Sequence, residues 1–228
     1  MGLNASRVWL DRELEAFGKS LPEGCLVLDA GAGSQKYASK FSRQRYETAD
    51  FEQVDKAYQP STYVCDLRSI PVEDNRFDAV VFTQVMEHLP EPKLVLKELN
   101  RVLKPGGKMF FSAPLYYQEH EQPYDFYRYT QFGLKYLFEQ SGFQSGEMRW
   151  LEGFMGTTAH QLRYMRSNFP RSPGGYGGGI SGVLLLVLFQ LFGVLARVMS
   201  PLARLADIRH RYTVRGMPIN YMTILTKA

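Results

Sequence analysis

The stretch CLVLDAGAG, residues 25–33, is a short aliphatic run that meets an acid and ends in two closely spaced glycines. A run this short and apolar is typical of a buried parallel strand. Glycine tolerates positive φ and lets a backbone approach a ligand closely, so Gly31 and Gly33 predict a tight loop after the strand. The stretch therefore predicts a doubly wound α/β sheet, in which ligands bind outside the carboxyl ends of the strands.

The same pattern repeats along the first 145 residues. The runs FDAVVFTQV (77–85) and KMFFSAP (108–114) predict two more buried strands, and Lys104–Gly107 predicts a turn before the second. Between the runs, apolar residues recur at helical spacing, at Leu94, Leu96, Leu99, Val102 and Leu103. Connections this short predict right-handed parallel crossovers. An opening helix is expected over residues 10–17, and PINYMTILTK (218–227) predicts a final strand.

Two further acids follow apolar stretches. Asp50 ends the segment YETAD (46–50), and Asp66 follows residues 63–65. An acid at the end of the second strand accepts hydrogen bonds from ribose hydroxyls. Lys36 stands where a GxGxxG motif requires glycine, and acids gathered in one cleft repel a pyrophosphate. The pattern favours a cofactor with a ribose, an adenine and a cationic tail.

These segments stand in a familiar order: LDAGAG (28–33), Asp50, CDL (65–67), FDAVVFTQVMEHLPEP (77–92) and LKPGGKMFFSAP (103–114). The chain thereby resembles the class I S-adenosylmethionine-dependent methyltransferases, in particular their ubiquinone and menaquinone type, over residues 25–115. The resemblance implies a seven-stranded Rossmann-like sheet with an antiparallel last strand, and S-adenosylmethionine as cofactor. It places the cofactor on Asp29, Gly31, Ala32, Gly33, Asp50, Phe51, Asp66, Leu67, Gln84 and Val85. The chain departs from the pattern at residues 34–36, where many relatives have a glycine.

The segment HEQPYDFYRYT (120–130) follows the fifth strand and resembles an acceptor-binding segment of some of these methyltransferases. The resemblance implies that an acceptor oxygen is oriented by His120, Tyr124, Asp125, Arg128 and Tyr129. We expect the catalytic residues to be His88, His120 and Asp125, with His120 or Asp125 taking a proton. As an alternative, Glu87 and His88 cap or anchor the helix that begins near Pro90. No metal is expected, because the four histidines lack ligand spacing.

Composition narrows the class of protein. The 228 residues are 45% hydrophobic and 22% charged, which excludes a disordered or fibrous chain. Residues 1–150 carry 18 Lys/Arg and 21 Asp/Glu, whereas residues 151–228 carry 9 and 2. The basic charge thus belongs to the last third, and we expect no nucleic-acid partner. Two cysteines predict a reducing compartment, and no apolar stretch of signal-peptide length opens the chain.

The segment ISGVLLLVLFQLFGVLA (180–196) contains no charge in 17 positions. As a helix it covers about 26 Å, slightly short of the ~30 Å hydrocarbon core. A single span would separate the final strand from its sheet, so we expect a helix lying in one leaflet, a re-entrant hairpin, or a dimer contact. Basic residues flank it, at Arg197, Arg204, Arg209, Arg211 and Arg215. Residues 174–179, GGYGGG, predict a flexible hinge, and Ser200-Pro201 predicts a helix break.

These observations predict three parts: a cofactor-binding core (1–153), a helical, apolar and basic insert (154–217), and the last strand (218–228). The expected function is a methyltransferase at the cytoplasmic face of a membrane, acting on a small or lipid-like acceptor such as a quinone, a lipid-linked molecule or a glycan-lipid, with the insert as a cap. One alternative is a methyltransferase of a soluble small molecule whose apolar segment forms a homodimer contact. Another is a catalytically idle scaffold bound to the membrane.

Overall fold

The aliphatic run at the first motif forms a central strand. Leu26–Ala30 (β1) is buried along its whole length and pairs in parallel with Arg45–Asp50 (β2) and with Phe77–Thr83 (β4). Parallel neighbours on both sides explain why this strand is apolar without alternation. The computed structural model describes residues 4–52 and 59–228.

Eight strands form one sheet. Besides β1, β2 and β4 they are Tyr63–Val64 (β3), Leu103–Pro114 (β5), Phe143–Ser145 (β6), Arg149–Trp150 (β7) and Asn220–Lys227 (β8). The order is β3-β2-β1-β4-β5-β8-β6, and β7 pairs with β8. The first five strands in this order, from β3 to β5, run parallel to one another, whereas β8 is antiparallel to β5, β6 and β7. The predicted seven-stranded path with an antiparallel last strand is confirmed, and β7 is an additional short strand.

Five α-helices and three 3₁₀ turns complete the described chain. The helices are Ala5–Ser20 (α1), Pro92–Val102 (α2), Gln131–Glu139 (α3), Phe154–Asn168 (α4) and Gly179–Arg209 (α5). The turns are Ala38–Phe41, Met86–His88 and Pro173–Tyr176. Glu87 and His88 lie in a 3₁₀ turn that ends before α2, and Glu91 is the residue that precedes the first turn of α2. The alternative that they cap the helix is therefore wrong.

The sheet and its helices enclose a continuous apolar core. Phe111 of β5 meets Phe138 of α3 edge to face, with ring centroids 4.9 Å apart. The core face of α2 is Val95, Leu96, Leu99 and Val102. Each fully buried side chain of this size stabilises the fold by about 1.5–3 kcal/mol. Leu94, which the spacing assigned to this face, is exposed, and Leu103 begins β5.

The predicted turn at Lys104–Gly107 lies inside β5. The pairing of β4 with β5 shifts register between Phe77 and Ala79, opposite these residues, so they form an irregularity in the strand rather than its start. Gly106 has φ +72°, which suits glycine. The proline and glycines of this segment predicted a turn, but in the structure they form a bulge within the strand.

The chain divides into two compact units. One is Leu10–Leu151 with Ile219–Ala228, which we call the sheet unit; the other is Met1–Trp9 with Glu152–Pro218, the helical unit. The predicted division differs in placing residues 1–9 with the core. Within the helical unit, the Trp9 indole N–H donates to Asp207 Oδ2 at 3.0 Å. This buried hydrogen bond explains why the start of α1 belongs to that unit.

Two sequence expectations for the helical unit are wrong. Helix α5 runs without a break through Pro201, although proline removes one backbone hydrogen bond there. The expected hinge at residues 174–179 contains a 3₁₀ turn whose Tyr176 stacks on Phe189 at 5.5 Å between ring centroids. A packed aromatic ring in the middle of the glycines explains the ordered turn.

Helix α5 exposes its apolar side chains. By length and composition it is able to cross a membrane, yet only 17% of its most apolar 18-residue stretch is buried within the protein. The exposed side chains include Leu184 (66%), Leu188 (59%) and Leu191 (65%). Exposed apolar surface of this extent marks contact with a membrane or another molecule.

Candidate active site

A cavity of about 230 Å³ opens in the sheet unit, next to the carboxyl ends of the parallel strands. Seven of the ten predicted cofactor residues line it: Gly31, Asp50, Phe51, Asp66, Leu67, Gln84 and Val85. Asp29, Ala32 and Gly33 do not line it. The cavity thus lies where a doubly wound sheet binds ligands, and most of the predicted residues meet there.

The loop after β1 and the loop after β4 touch at the cavity. A Cβ at Gly31 would lie 2.4 Å from Val85 Cγ2, and Gly31 has φ +79°. Gln84 also has a positive φ, of 56°, and its side-chain amide donates to Ser112 Oγ at 3.1 Å. No side chain fits at position 31, so the backbone itself forms this wall of the cavity.

Asp50 joins the cavity to the glycine loop. Its Oδ2 accepts the Gly33 N–H at 2.8 Å, and its Oδ1 accepts the Glu52 N–H at 3.0 Å. These two bonds fix the plane of the carboxylate, which also lines the cavity. Each oxygen keeps acceptor capacity for the hydroxyls of a ribose. Gly33, which was predicted to contact the cofactor directly, therefore acts by orienting Asp50.

Asp66 is held by a neighbour that the sequence did not single out. The Arg68 guanidinium donates to it from Nη2 at 2.7 Å and from Nε at 3.0 Å, and also donates to Glu91. The Arg68 hydrogen bonds hold the pKa of Asp66 below its usual value, so the carboxylate stays ionised. Arg68 and Glu91 themselves line the cavity.

Asp29 has a different surrounding from the one predicted. It is 4% exposed, and its carboxyl accepts the Tyr46 hydroxyl. Burial raises the pKa of Asp29 to about 7. Since it lies outside the cavity lining, its place is in the packing below the loop, where Gly31 N–H and Ala32 N–H donate to the Ala49 carbonyl.

The three predicted catalytic residues come together beside the cavity. The rings of His88 and His120 lie 4.7 Å apart, and Nδ1 of His120 is 3.4 Å from Asp125 Oδ2. Of the three, only His88 lines the cavity. Residues distant in sequence thus form one cluster on the wall of the predicted cofactor site.

His88 has the properties of a base. Its Nδ1 lies at hydrogen-bond distance from the Tyr124 carbonyl, and because a carbonyl only accepts, Nδ1 carries the hydrogen. Nε2 of the neutral ring then carries a lone pair. Burial holds the pKa of His88 below its usual value, so the neutral form dominates at pH 7.

Asp125 is held too firmly to be a base. Its oxygens accept Arg128 Nη1 and Nη2, both at 2.7 Å, and Oδ2 also accepts the His120 N–H at 2.8 Å. The Arg128 hydrogen bonds lower the pKa of Asp125 to about 2. A group this acidic takes a proton poorly at neutral pH. Its geometry makes Asp125 a positioning residue for His120.

Glu87 is the unexpected member of this cluster. Its side chain is fully buried, and in the described chain its carboxylate oxygens have no hydrogen-bond partner. Burial raises the pKa of Glu87 to about 8. Donor atoms of Glu87, His88 and His120 lie within 4.8 Å of one another, a donor set that is able to hold a metal ion. This group could not be found from the sequence, because His120 is 32 residues from His88. The expectation that no metal is bound stays a prediction.

Comparison with known proteins shows that this chain is similar to methyltransferases. Residues 28–111 match the family model for a methyltransferase domain. The ubiquinone biosynthesis O-methyltransferase of Coxiella burnetii is 32% identical over 77 residues, which cover 33% of this chain and 30% of that protein. Over residues 28–111 the chain is therefore similar to the class I S-adenosylmethionine-dependent methyltransferases. The match spans less than a third of the Coxiella relative's length.

Two further proteins extend the likeness of this methyltransferase. The demethylmenaquinone methyltransferase of Staphylococcus haemolyticus is 29% identical over 133 residues, covering 45% of this chain and 55% of that protein. A Burkholderia thailandensis N-methyltransferase solved with S-adenosylhomocysteine shares the fold, with a TM-score of 0.52 and 19% identity over 64% of this chain and 71% of that one. The names of the Coxiella and Staphylococcus relatives are of the quinone type that the motifs indicate.

The cavity fits the cofactor of this family, S-adenosylmethionine. The oriented Asp50 carboxylate suits the ribose, and Asp66 with the buried Leu67 suits the adenine. The backbone at Gly31 leaves room for close approach. Asp50, Asp66, Glu91 and Glu121 line the cavity against a single arginine, Arg68, and this acidic excess matches a cationic ligand.

Proposed function

We propose that this protein transfers a methyl group from S-adenosylmethionine to an oxygen of a quinone-like or other lipid-like acceptor at the cytoplasmic surface of a membrane. One observation carries the proposal: His88, a neutral and partly buried base, lines the same cavity as Asp50 and Asp66. Base and cofactor residues on one wall are what methylation of a hydroxyl requires. The names of two curated relatives, a ubiquinone biosynthesis O-methyltransferase and a demethylmenaquinone methyltransferase, support the acceptor class.

The bound cofactor supplies an electrophilic methyl group on a sulfonium. The protein's own contribution is alignment, which supplies up to about 7–11 kcal/mol in favourable cases. A phenolic acceptor also has a proton to lose, and the neutral His88, which lines the cavity, is the group that takes it. General-base help of this kind typically contributes 10²–10⁴-fold to the rate.

His120, Asp125 and Arg128 act on the position of the acceptor and of the base. Arg128 Nη2 also donates to the Gln118 carbonyl at 2.9 Å, and its Nε donates to the Tyr117 carbonyl at 3.0 Å. The ion pair therefore holds the segment 117–128 against itself. This framework holds His120 beside His88, and His88 is the one of the two that lines the cavity.

The exposed face of α5 supports the membrane location. Leu151, just before the helical unit, donates its N–H to the Asn220 carbonyl just after it, at 2.9 Å. Both ends of the inserted segment are thus held in one sheet, on one side of any bilayer. A helix lying in one leaflet satisfies this constraint and buries the exposed apolar side chains. A homodimer would bury the same face, and light scattering separates the two.

The direct test is methyl transfer from tritiated S-adenosylmethionine to extracted bacterial membrane lipids, with a soluble catechol as a second acceptor. We expect label in the quinone-containing fraction with the wild-type protein and a large loss with His88→Gln. Glu23→Ala, which removes an exposed acid away from the cavity, is the matched control. Label on the catechol alone would overturn the lipid-like acceptor, and no label on either would favour the idle scaffold.

A further inference from the structure

A second cavity, of about 220 Å³, lies within the helical unit and takes no part in the proposed reaction. Four arginines line it, and we call it the arginine pocket: Arg163 and Arg166 on α4, and Arg197 and Arg204 on α5. Asn4 and Ala5, at the amino end of α1, line it too. The amino end of a helix carries a partial positive charge, which adds to that of the arginines.

The helix geometry brings these arginines together. Arg163 and Arg166 are three residues apart, and Arg197 and Arg204 are seven apart, so each pair shares one helix face. Ser200, between the second pair, donates from Oγ to the Ala159 carbonyl of α4 at 2.8 Å. This bond fixes the two helices against each other at the level of the pocket. All four arginines therefore line one cavity.

Three of the four arginines in the pocket have no acid partner among the described residues. Residues 152–218 contain eight arginines, no lysine, and two acids, Glu152 and Asp207, both fully buried. Within residues 4–52 and 59–228, no carboxylate lies at ion-pair distance from Arg163, Arg166 or Arg197. Like charges gathered in one cavity repel one another, and an anion bound between these three arginines relieves the repulsion.

The chemistry of the lining selects the anion. The planar guanidinium donates two parallel hydrogen bonds to a phosphate or carboxylate, a geometry that lysine lacks. Burial and the charge of Arg163 lower the pKa of His160, which also lines the pocket. Another stripe of the same helix is apolar and half exposed, with Leu195 at 55%, Val198 at 56% and Leu202 at 54%. A ligand with a phosphate at one end and hydrocarbon at the other matches both stripes.

We propose that the arginine pocket binds the phosphate group of an anionic phospholipid, whose acyl chains lie along the apolar stripe of α5. The proposal rests on the membrane location given above and goes beyond it, because it assigns a specific headgroup site. Diffuse attraction of basic residues to an anionic surface needs no pocket and would depend only on the number of charges. The test therefore compares variants of equal charge.

The first measurement is calorimetric titration with dihexanoyl phosphatidic acid below its micellar concentration, and with inorganic phosphate. The pocket variant is Arg166→Gln with Arg197→Gln, one change on each helix. The control is Arg171→Gln with Arg215→Gln, two exposed arginines outside the pocket. We expect the lipid to bind the wild type more tightly than phosphate does, the pocket variant to bind at least about tenfold more weakly, and the control within about twofold.

Equal weakening in both variants, or no binding of the lipid to the wild type, would overturn the headgroup site. Inorganic phosphate binding as tightly as the lipid would assign the pocket to a free phosphate instead. Thermal melts that match the wild type exclude unfolding of either variant.

The second measurement is flotation with vesicles of phosphatidylcholine, with and without phosphatidic acid. If the wild type floats with neither kind of vesicle, the membrane location is contradicted. The calorimetry would still show whether the arginine pocket binds the lipid phosphate. Wild type and pocket variant that float equally with anionic vesicles would retain the membrane location and overturn the headgroup site. We expect the pocket variant to lose most of the preference for phosphatidic acid and the control to keep it.

Discussion

The two units of this protein differ in how they treat charge and apolar surface. In the sheet unit, acids and bases pair across the surface, as Arg76 does with Glu47 and Glu73, and the large apolar side chains are mostly buried. In the helical unit every exposed charge of residues 152–218 is an arginine, and one long helix turns its leucines outward. The sheet unit thus pairs many of its surface charges and buries most of its large apolar side chains, whereas the helical unit leaves arginines and leucines exposed.

This difference in charge and exposure suggests that the two units have separate functions. The sheet unit supplies the wall of acids that suits a cationic nucleoside and the histidine that suits a proton transfer. The helical unit contributes none of the residues that line that cavity. If the account is right, variants in one unit should leave the property of the other unchanged, and the predictions below are chosen to break this separation.

The largest effect is expected for His88→Gln. Glutamine keeps a polar side chain of similar size but has no basic lone pair, so kcat should fall by about 10²–10⁴. Binding of S-adenosylhomocysteine, read by calorimetry, should change by less than about threefold. Since burial keeps the pKa of His88 low, the wild-type rate should fall only below about pH 6.5, as the ring takes a proton. A pH profile of the variant that keeps this limb would show that His88 is not the base.

Asp50→Ala comes next. The change removes both the acceptor for the ribose and the anchor of the Gly33 N–H, so the glycine loop loses its orientation. Two charge-assisted hydrogen bonds of this kind predict about 100-fold weaker binding of S-adenosylmethionine. Glu23→Ala serves as the control, and flotation with vesicles should be unchanged. A variant that binds as the wild type does would place the ribose elsewhere.

The paired change Leu188→Glu with Leu191→Glu tests the helical unit. Both side chains are exposed, so the fold should tolerate the charges, while transfer of this face into lipid becomes unfavourable. We expect at least about tenfold weaker partition to anionic vesicles, since each buried leucine contributes about 1.5–3 kcal/mol. Phe132→Glu with Tyr136→Glu places the same charges on an exposed face of α3 and should float as the wild type does.

Glu87→Gln is expected to have the smallest effect, on stability. Burial raises the pKa of Glu87 to about 8, so between its unfolded value near 4.5 and pH 8 the folded chain keeps a proton that the unfolded chain has lost. Stability from this group is therefore fully present below about pH 4.5 and is lost progressively as the pH rises from there to about 8. From about pH 5 to about pH 9, the Tm of the variant should therefore fall by a few degrees less than that of the wild type. Parallel curves of Tm against pH for the wild type and the variant would contradict the prediction that buried Glu87 keeps its proton up to about pH 8.

Acids that follow apolar runs must meet at one edge of a parallel sheet, and on that ground the sequence predicts that Asp50 and Asp66 lie close together. Both line the cavity, as does Gln84, which the family resemblance implied, and that they bind the cofactor stays a prediction. The same reasoning misassigned Asp29, since a position next to glycine does not reveal that Tyr46 covers the carboxyl. Arg68 and Glu91 were missed because nothing in their spacing links them across 23 residues.

The helical unit was harder to predict. The apolar run and the basic flank were visible, but the arginine pocket depends on Arg163 and Arg166, which only packing brings to α5. Pro201 suggested a break by its local preference, but α5 is continuous there, and the neighbouring Ser200 is hydrogen-bonded to α4. The helix propensity of a residue determines where a helix ends only if tertiary packing does not override it.

One measurement tests the central claim, that cofactor binding and membrane attachment belong to separate units. Vesicle flotation is run with tritiated S-adenosylhomocysteine present, and protein and label are followed in the same fractions. We predict that Asp50→Ala floats without label, that the Leu188 and Leu191 double variant stays at the bottom with its label, and that the wild type carries label upward. If either variant lost both properties while its thermal melt stayed intact, the separation of the two units would be contradicted.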